Sequence, residues 1–156
     1  MGPLATQRGR DDVERAVRDA VAKGARLLTG GHRTGKRGFY FEATALADIP
    51  KGCIVDEEEV FGPVAALYSV RSLDEALDVA NRHRYGLASS AWTNDAHEQE
   101  RFIQHLEAGA TFVNALVASD PRLPFGGVKK SGFGRELGRE GIREFMNLKT
   151  VVIKNA

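Results

Sequence analysis

The side chains best able to do chemistry crowd into one short stretch. Cys53, the only thiol in the 156-residue chain, stands three residues before the acidic run Asp56-Glu57-Glu58-Glu59. A nucleophilic cysteine needs positive surroundings or a helix N-terminus to hold its thiolate, and the carboxylates nearby supply the opposite. Lys51 alone offers little compensation, so Cys53 is expected to be a packed or partly exposed structural residue. Paired carboxylates can share acid–base work. Most charge runs are solvated faces, however, and three of these four residues are expected to be so. The run leads straight into Val60-Phe61-Gly62-Pro63-Val64, which sets an aromatic ring two residues beyond Glu59.

Two other patterns imitate functional sites. Gly30-Gly31-His32-Arg33-Thr34-Gly35-Lys36-Arg37 nearly spells a phosphate-binding P-loop. Such a loop needs a Ser or Thr after its lysine to hold magnesium, and it must launch a helix whose N–H groups meet the phosphate. Here Arg37 takes the hydroxyl position, and Gly38-Phe39-Tyr40-Phe41 reads as a strand, so a solvated turn is expected. His97 and His105 are two helical turns apart, about 12 Å, too far to share a metal. His32 and His83 have no ligand-like neighbours, and no metal site is expected.

The most informative residues lie far downstream of the acidic run: Leu123-Pro124-Phe125-Gly126-Gly127-Val128-Lys129-Lys130-Ser131-Gly132-Phe133-Gly134-Arg135-Glu136-Leu137. Between the two stretches come Asn81, Gly86-Leu87, Asn94-Asp95, Gly109 and Phe112-Val113-Asn114. Taken together and in this order, they resemble the C-terminal half of the aldehyde dehydrogenase superfamily. The resemblance runs from Gly2-Pro3-Leu4 to Lys149-Thr150-Val151 and so covers nearly the whole chain. Its finer features look most like a bacterial succinate-semialdehyde dehydrogenase, on the strength of Val117 to Arg122 and of Gly141-Ile142-Arg143-Glu144-Phe145.

The resemblance implies a role for each site residue. Glu59 matches the family's acceptor for the nicotinamide ribose, and a carboxylate suits that task because it can bond both sugar hydroxyls. Phe61 matches the ring packed near the nicotinamide, where an aromatic face excludes water. Leu87 is placed near the nicotinamide as well. Phe125 matches the aromatic residue lining the aldehyde tunnel, and Gly126 and Gly127 allow the loop to approach closely. Ser119, six residues before Phe125, is favoured over Arg122 as the contact for a substrate's distal carboxylate. The alternative for Ser119-Asp120-Pro121 is a simple loop turn. Lys129 and Arg135 are expected to be structural.

The resemblance also implies what the chain does not carry. The family's nucleophilic cysteine, its general-base glutamate and its glycine-bearing dinucleotide-binding domain all precede the segment that Gly2 matches. No catalytic residue is therefore assigned, and the chain alone is expected to be inactive and to bind NAD or NADP only weakly. A second reading, from another class, is a non-catalytic assembly or binding module that keeps the fold. Residues 1–148 are read as the C-terminal part of the catalytic domain. Residues 149–156 are read as the terminal strand of an oligomerisation region, which predicts a homo-oligomer.

These residues need a scaffold, and periodicity supplies one. Asp11 and Asp12 are expected to cap a helix running to about Ala22, with Val13, Ala16, Val17, Ala20 and Val21 on one apolar stripe. Arg26 to Thr29 reads as a strand, Phe39 to Phe41 and Ala43 to Leu46 as extended segments, and Val64 to Val70 as a strand. Ser72 caps a second helix, and Asn94 a third in which Phe102, Ile103 and Leu106 share a face. Ser89 to Thr93 and Thr111 to Asn114 read as strands. A long loop from Ala115 to Arg135 follows, then a helix from Glu136 to Met146 and a strand from Thr150 to Ile153. Strands alternating with helices predict an α/β fold with a largely parallel sheet.

Bulk properties narrow the partners. Twenty-two basic residues against 21 acidic give a net charge of +1, which offers no electrostatic case for nucleic acid or a membrane surface. No apolar run approaches the roughly 18 residues of a membrane span, and no basic flank precedes an apolar stretch as in a secretory signal. Pro3 spoils the myristoylation pattern formed by Gly2 and Thr6. A lone cysteine fits a reducing cytoplasm. A small aldehyde is the expected partner.

Overall fold

The computed structural model describes residues 1–155. The chain forms two compact units, one spanning Met1–Arg71 and the other beginning at Ser72. Composition does not announce this division.

The first unit is organised by helix α1 (Gln7–Ala22), which buries Val13, Ala16, Val17 and Ala20. It starts about one and a half turns earlier than Asp11 and Asp12 suggest. Thr6, in extended backbone, caps it by accepting the Gly9 N–H on its hydroxyl at 3.0 Å. The two aspartates lie within the helix and form ion pairs, Asp11 with Arg33 and Asp12 with Arg15, each at 3.0 Å. Gly24, at φ 114°, ends the helix. Ala25 N–H then reaches back to Ala20 O at 2.9 Å, the long bond of a Schellman cap.

Strand β1 (Arg26–Thr29) runs antiparallel to β2 (Thr44–Ala47), and β2 runs parallel to β3 (Val64–Leu67). Between β2 and β3 lies the short helix α2 (Ile54–Glu57). The core joins the α1 stripe to Ala25, Phe41, Leu46, Cys53 and Val55. Cys53 is fully buried among apolar side chains, which accounts for it as a packing residue.

The P-loop-like segment is a turn. Gly31 donates its N–H to the Thr44 hydroxyl at 2.8 Å, and no helix follows. A Cβ on Gly30 would collide with the Ala43 carbonyl, so glycine is required here by backbone contact and by its φ of 73°.

The second unit opens with α3 (Leu73–Asn81), capped by Ser72, whose hydroxyl accepts the Glu75 N–H at 3.2 Å. Strand β4 (Tyr85–Gly86) is followed by β5 (Ala88–Ala91), α4 (Ala96–His105) and β6 (Ala110–Val113). Strands β5 and β6 pair in parallel with α4 as the connection, a βαβ unit. The cap of α4 is Asp95 rather than Asn94. Its carboxylate accepts the N–H groups of His97 and Glu98 at 2.8 and 3.0 Å, a charged acceptor at the positive end of a helix.

The downstream loop is less irregular than its composition suggests, because β7 (Val128–Lys129) pairs antiparallel with β4. The last helix, α5 (Gly138–Arg143), is shorter than the span from Glu136 to Met146. Glu136 is committed elsewhere: it exchanges both backbone hydrogen bonds with Phe125, each at 2.8 Å. Leu137 and Gly138 then take positive φ values of 64° and 59°, which break the helical path. Residues 150–153 form no strand in this chain. Val151, Val152 and Ile153 are exposed and have no partner ladder to complete.

The α/β class therefore holds, with the strands of the described residues divided among three small sheets. Parallel pairing occurs at β2–β3 and β5–β6, and antiparallel pairing at β1–β2 and β4–β7. Strands β1 and β2 are joined without a helix, so an antiparallel pair is the natural outcome. Among the described residues, no helix is long and apolar enough to cross a membrane.

Candidate active site

In the first unit, α1 and the segment after α2 enclose a hollow of about 250 Å³. Gly9, Asp12, Val13 and Ala16 form its helical side, and Glu58, Glu59, Val60 and Phe61 the other. Glu59 is exposed, and Phe61 retains 79% of its accessible surface although it is a large apolar ring. An aromatic left open beside a carboxylate is unusual for a residue whose role is packing.

The fold holds this segment at both ends from α1. At its start, Cys53 occupies the cap position of α2 but makes no side-chain capping bond. The carboxylate of Asp19, 35 residues upstream, takes over by accepting the Ile54 N–H at 2.8 Å. That bond, then the Lys23 ammonium, holds the Asp19 carboxyl below the usual carboxylate range. Lys23 bonds Asp19 and the Gly52 carbonyl together. At its far end, Gly62 lies against Val13 so tightly that a Cβ would strike the valine Cγ2.

Of the acidic run, Glu57, Glu58 and Glu59 are exposed and Asp56 is buried. Asp56 accepts the Gly52 N–H at 3.1 Å and the Tyr68 hydroxyl at 3.2 Å, tying α2 to the end of β3. Asp19 and Asp56 make long-range hydrogen bonds around α2 that no sequence pattern announces. The signal was faint: an aspartate late in α1, and one member of a charge run at an apolar position.

In the second unit, Phe125 is half-buried and fixed by its bridge to Glu136. Arg135 fastens the same loop by donating to the carbonyls of Gly127 and Gly134 at 3.0 and 2.7 Å. Leu87 is 45% exposed. Its carbonyl and that of Gly126 both abut Gly109, where no Cβ fits, so the backbones of Leu87 and the Phe125 loop are brought together across one glycine. Lys129 donates to the carbonyls of Asn81 and His83 and pairs with Glu107 at 2.7 Å. Lys129 and Arg135 thus work as braces. Asn114 does likewise: at φ 53° it exchanges side-chain bonds with the Thr93 backbone.

Ser119 is exposed. The turn beside it is built on Asp120, whose carboxylate accepts from Arg122 N, Nε and Nη2 at 2.9, 2.9 and 2.6 Å. The Arg122 guanidinium, and after it the Arg122 N–H, lowers the Asp120 carboxyl below its ordinary range. Among the described residues no group of three His, Cys, Asp or Glu side chains gathers as a metal site would require.

Comparison with known proteins decides the family. The aldehyde dehydrogenase family model matches residues 1–151. The chain belongs to the aldehyde dehydrogenase family. Among curated members it is similar to succinate-semialdehyde dehydrogenase (NADP+) 1 of Mycobacterium tuberculosis, 50% identical over 98% of this chain and 34% of the relative. It is also similar to succinate-semialdehyde dehydrogenase (NADP+) of Mycobacterium avium, 52% identical over 98% of this chain and 32% of the relative. The chain thus spans about a third of the length of the curated relatives it matches.

Solved family members share the fold. A Mycobacterium tuberculosis aldehyde dehydrogenase complexed with NAD+ superposes with a TM-score of 0.90 at 37% identity, over 99% of this chain and 32% of that one. Aldehyde dehydrogenase 21 of Physcomitrella patens, in complex with the reaction product succinate, gives 0.91 at 33% identity over the same shares. At these values, the family's architecture carries over to both units of the chain.

Proposed function

We propose that this chain supplies the nicotinamide-sugar contact and part of the aldehyde-lining wall of an NAD(P)-dependent dehydrogenase that oxidises succinate semialdehyde to succinate. The observation carrying this reading is the hollow in which Glu59 and the open ring of Phe61 lie side by side. Its chemistry fits the group. Carboxylates suit a sugar diol, while Val60, Phe61 and Ala16 suit a flat aromatic ring.

In this reading Glu59 accepts hydrogen bonds from the ribose hydroxyls and fixes the sugar. Phe61 covers the ring and keeps water from it. Leu87, in the second unit, is read as a further cofactor contact. Phe125 lines the path of the aldehyde. Ser119 receives the substrate's distal carboxylate, since Arg122 is already committed to Asp120. Bound nicotinamide supplies the acceptor for the hydride that leaves the aldehyde carbon. The nucleophilic thiolate and the general base belong to other segments of the family's enzymes, so the 156 residues alone carry out no turnover.

We place the enzyme in the cytoplasm, where a lone thiol such as Cys53 stays reduced. We also read residues 149–156 as an assembly segment. The exposed apolar side chains Phe145, Leu148, Val151, Val152 and Ile153 support self-association. Light scattering should show more than one copy per particle, and a monodisperse monomer would refute this part.

The cofactor assignment is tested by titrating the isotopically labelled chain with nicotinamide mononucleotide. Amide resonances of residues 58–61 should shift at millimolar ligand, and the substitution Glu59→Gln should suppress the shifts. Equal shifts in both proteins would contradict the role of Glu59.

A further inference from the structure

The Glu59–Phe61 segment has little secondary structure of its own, so something outside it must set its position. Helix α2 has only four residues and no side-chain cap from its own N-terminus. Its first peptide is held from α1 instead. Asp19 accepts the Ile54 N–H at 2.8 Å, and the carbonyl of the same residue, Ile54, accepts the Glu58 N–H at 2.8 Å. Glu59 is the next residue. A continuous path of hydrogen bonds therefore leads from the Asp19 carboxylate through the Ile54 residue to the backbone beside Glu59.

Asp19 is itself held in place. Lys23, one turn along α1, pairs with it at 3.0 Å and also donates to the Gly52 carbonyl at 3.0 Å. Asp56 accepts the Gly52 N–H, so both polar groups of the Gly52 peptide region are engaged as well. At the other end of the segment, Val13 blocks Gly62. One helix thus fixes both flanks of the stretch that carries the ribose acceptor, and only one of the two anchors is a side chain able to hydrogen-bond.

We infer that Asp19 is a positioning residue for the cofactor's ribose: by capping α2 at Ile54 it sets where Glu59 presents its carboxylate, without touching the cofactor itself. The inference rests on Glu59 being the ribose acceptor. Removing the Asp19 carboxylate leaves the Ile54 N–H without its partner and frees the turn before Glu59. A shift of about 1 Å at a positioning group is enough to cost binding or rate on the order of tenfold to a hundredfold.

The test uses the 156-residue chain, nicotinamide mononucleotide as the probe, and three variants, each measured well below its own melting temperature. Asp19→Ala is expected to weaken binding on the order of tenfold and to raise fast backbone motion over residues 54–59 in amide relaxation. Asp19→Asn keeps an oxygen that can accept the Ile54 N–H but loses the ion pair with Lys23. It should lower the melting temperature yet retain near-parental affinity and relaxation. A merely structural role would move melting in both variants and affinity in neither.

Glu59→Gln separates the two claims. If it loses binding while Asp19→Ala binds like the parent, the positioning role is overturned and the ribose reading stands. If Glu59→Gln binds like the parent, or if the parent itself gives no shifts, the ribose reading fails and the positioning role fails with it.

Discussion

Gly62 sits against Val13 with no room for a single added carbon: a Cβ on the glycine would overlap the valine Cγ2. The φ of Gly62 is not in the left-handed region, so the requirement for glycine here is one of space rather than of backbone angle. The contact pins the chain one residue after Phe61 to the buried stripe of α1. Replacing Gly62 with alanine should therefore cost about 1–3 kcal/mol, the usual range for overpacking a tight contact. Chemical denaturation of the isolated chain measures this. Unchanged stability would show that the helix yields and that the contact does not hold the segment.

Acid should loosen the first unit through two carboxylates that are held below their ordinary range. For Glu14 the main cause is its bond to Arg33, with Arg18 adding a further cation; for Asp19 it is the Ile54 N–H and then Lys23. Both groups bind protons more readily in the unfolded chain than in the folded one. Their contribution is thus complete above the usual carboxylate range and fades as pH falls through the lower, folded values. Melting temperature should drop below about pH 4–5, the unperturbed carboxylate region. The Glu14→Gln variant should show a shallower acid slope than the parent. Identical slopes would remove Glu14 from the account.

The Phe125 loop should be more sensitive at its glycines than at its charges. A Cβ on Gly109 would collide with the Gly126 carbonyl, and one on Gly126 would lie 2.6 Å from the Gly134 carbonyl. Backbone groups cannot swing aside as a side-chain tip can. Gly109→Ala is expected to destabilise the second unit more than Arg135→Ala. The arginine substitution removes two hydrogen bonds to carbonyls at roughly 1.5–3 kcal/mol for charged donors, less whatever water restores. Denaturation midpoints followed by a probe in the second unit test the order, and the reverse order would contradict it.

Much of the scaffold was legible because its signals are local. The stripe Val13, Ala16, Val17, Ala20 marked α1, Ser72 marked the start of α3, and the alternation of strands and helices marked the α/β class. The structure departs from the expected elements where a better cap stands close by or where a backbone partner lies far along the chain. Thr6 outcompeted Asp11 as a cap because the aspartates found arginines instead. Asp95 outcompeted Asn94 at the start of α4 through a charged acceptor for two N–H groups. Glu136 left its expected helix because Phe125, eleven residues earlier, claimed its backbone. Residues 150–153 have the β-branched composition of a strand but pair with no strand among the described residues.

The candidate site is legible only as a resemblance. Nothing in the local pattern of Glu58 to Val64 distinguishes a ligand acceptor from a solvated acid. The anchors that give Glu59 and Phe61 their setting, Asp19 and Val13, lie about 40 residues upstream on a helix whose pattern announces only packing. Long-range hydrogen bonds of this kind leave no periodic trace.

If this chain carries working cofactor and substrate contacts of an aldehyde dehydrogenase, they must function when it completes a relative's enzyme. The direct measurement is made on a hybrid enzyme. The matching third of the Mycobacterium tuberculosis succinate-semialdehyde dehydrogenase is replaced by this chain and assayed with NADP+ and succinate semialdehyde, beside the isolated 156-residue chain. The hybrid should form NADPH, its Glu59→Gln variant should lose on the order of tenfold or more in kcat/KM, and the isolated chain should form none. A Glu59→Gln hybrid as active as its parent, or aldehyde-dependent NADPH formation by the isolated chain, would contradict the account.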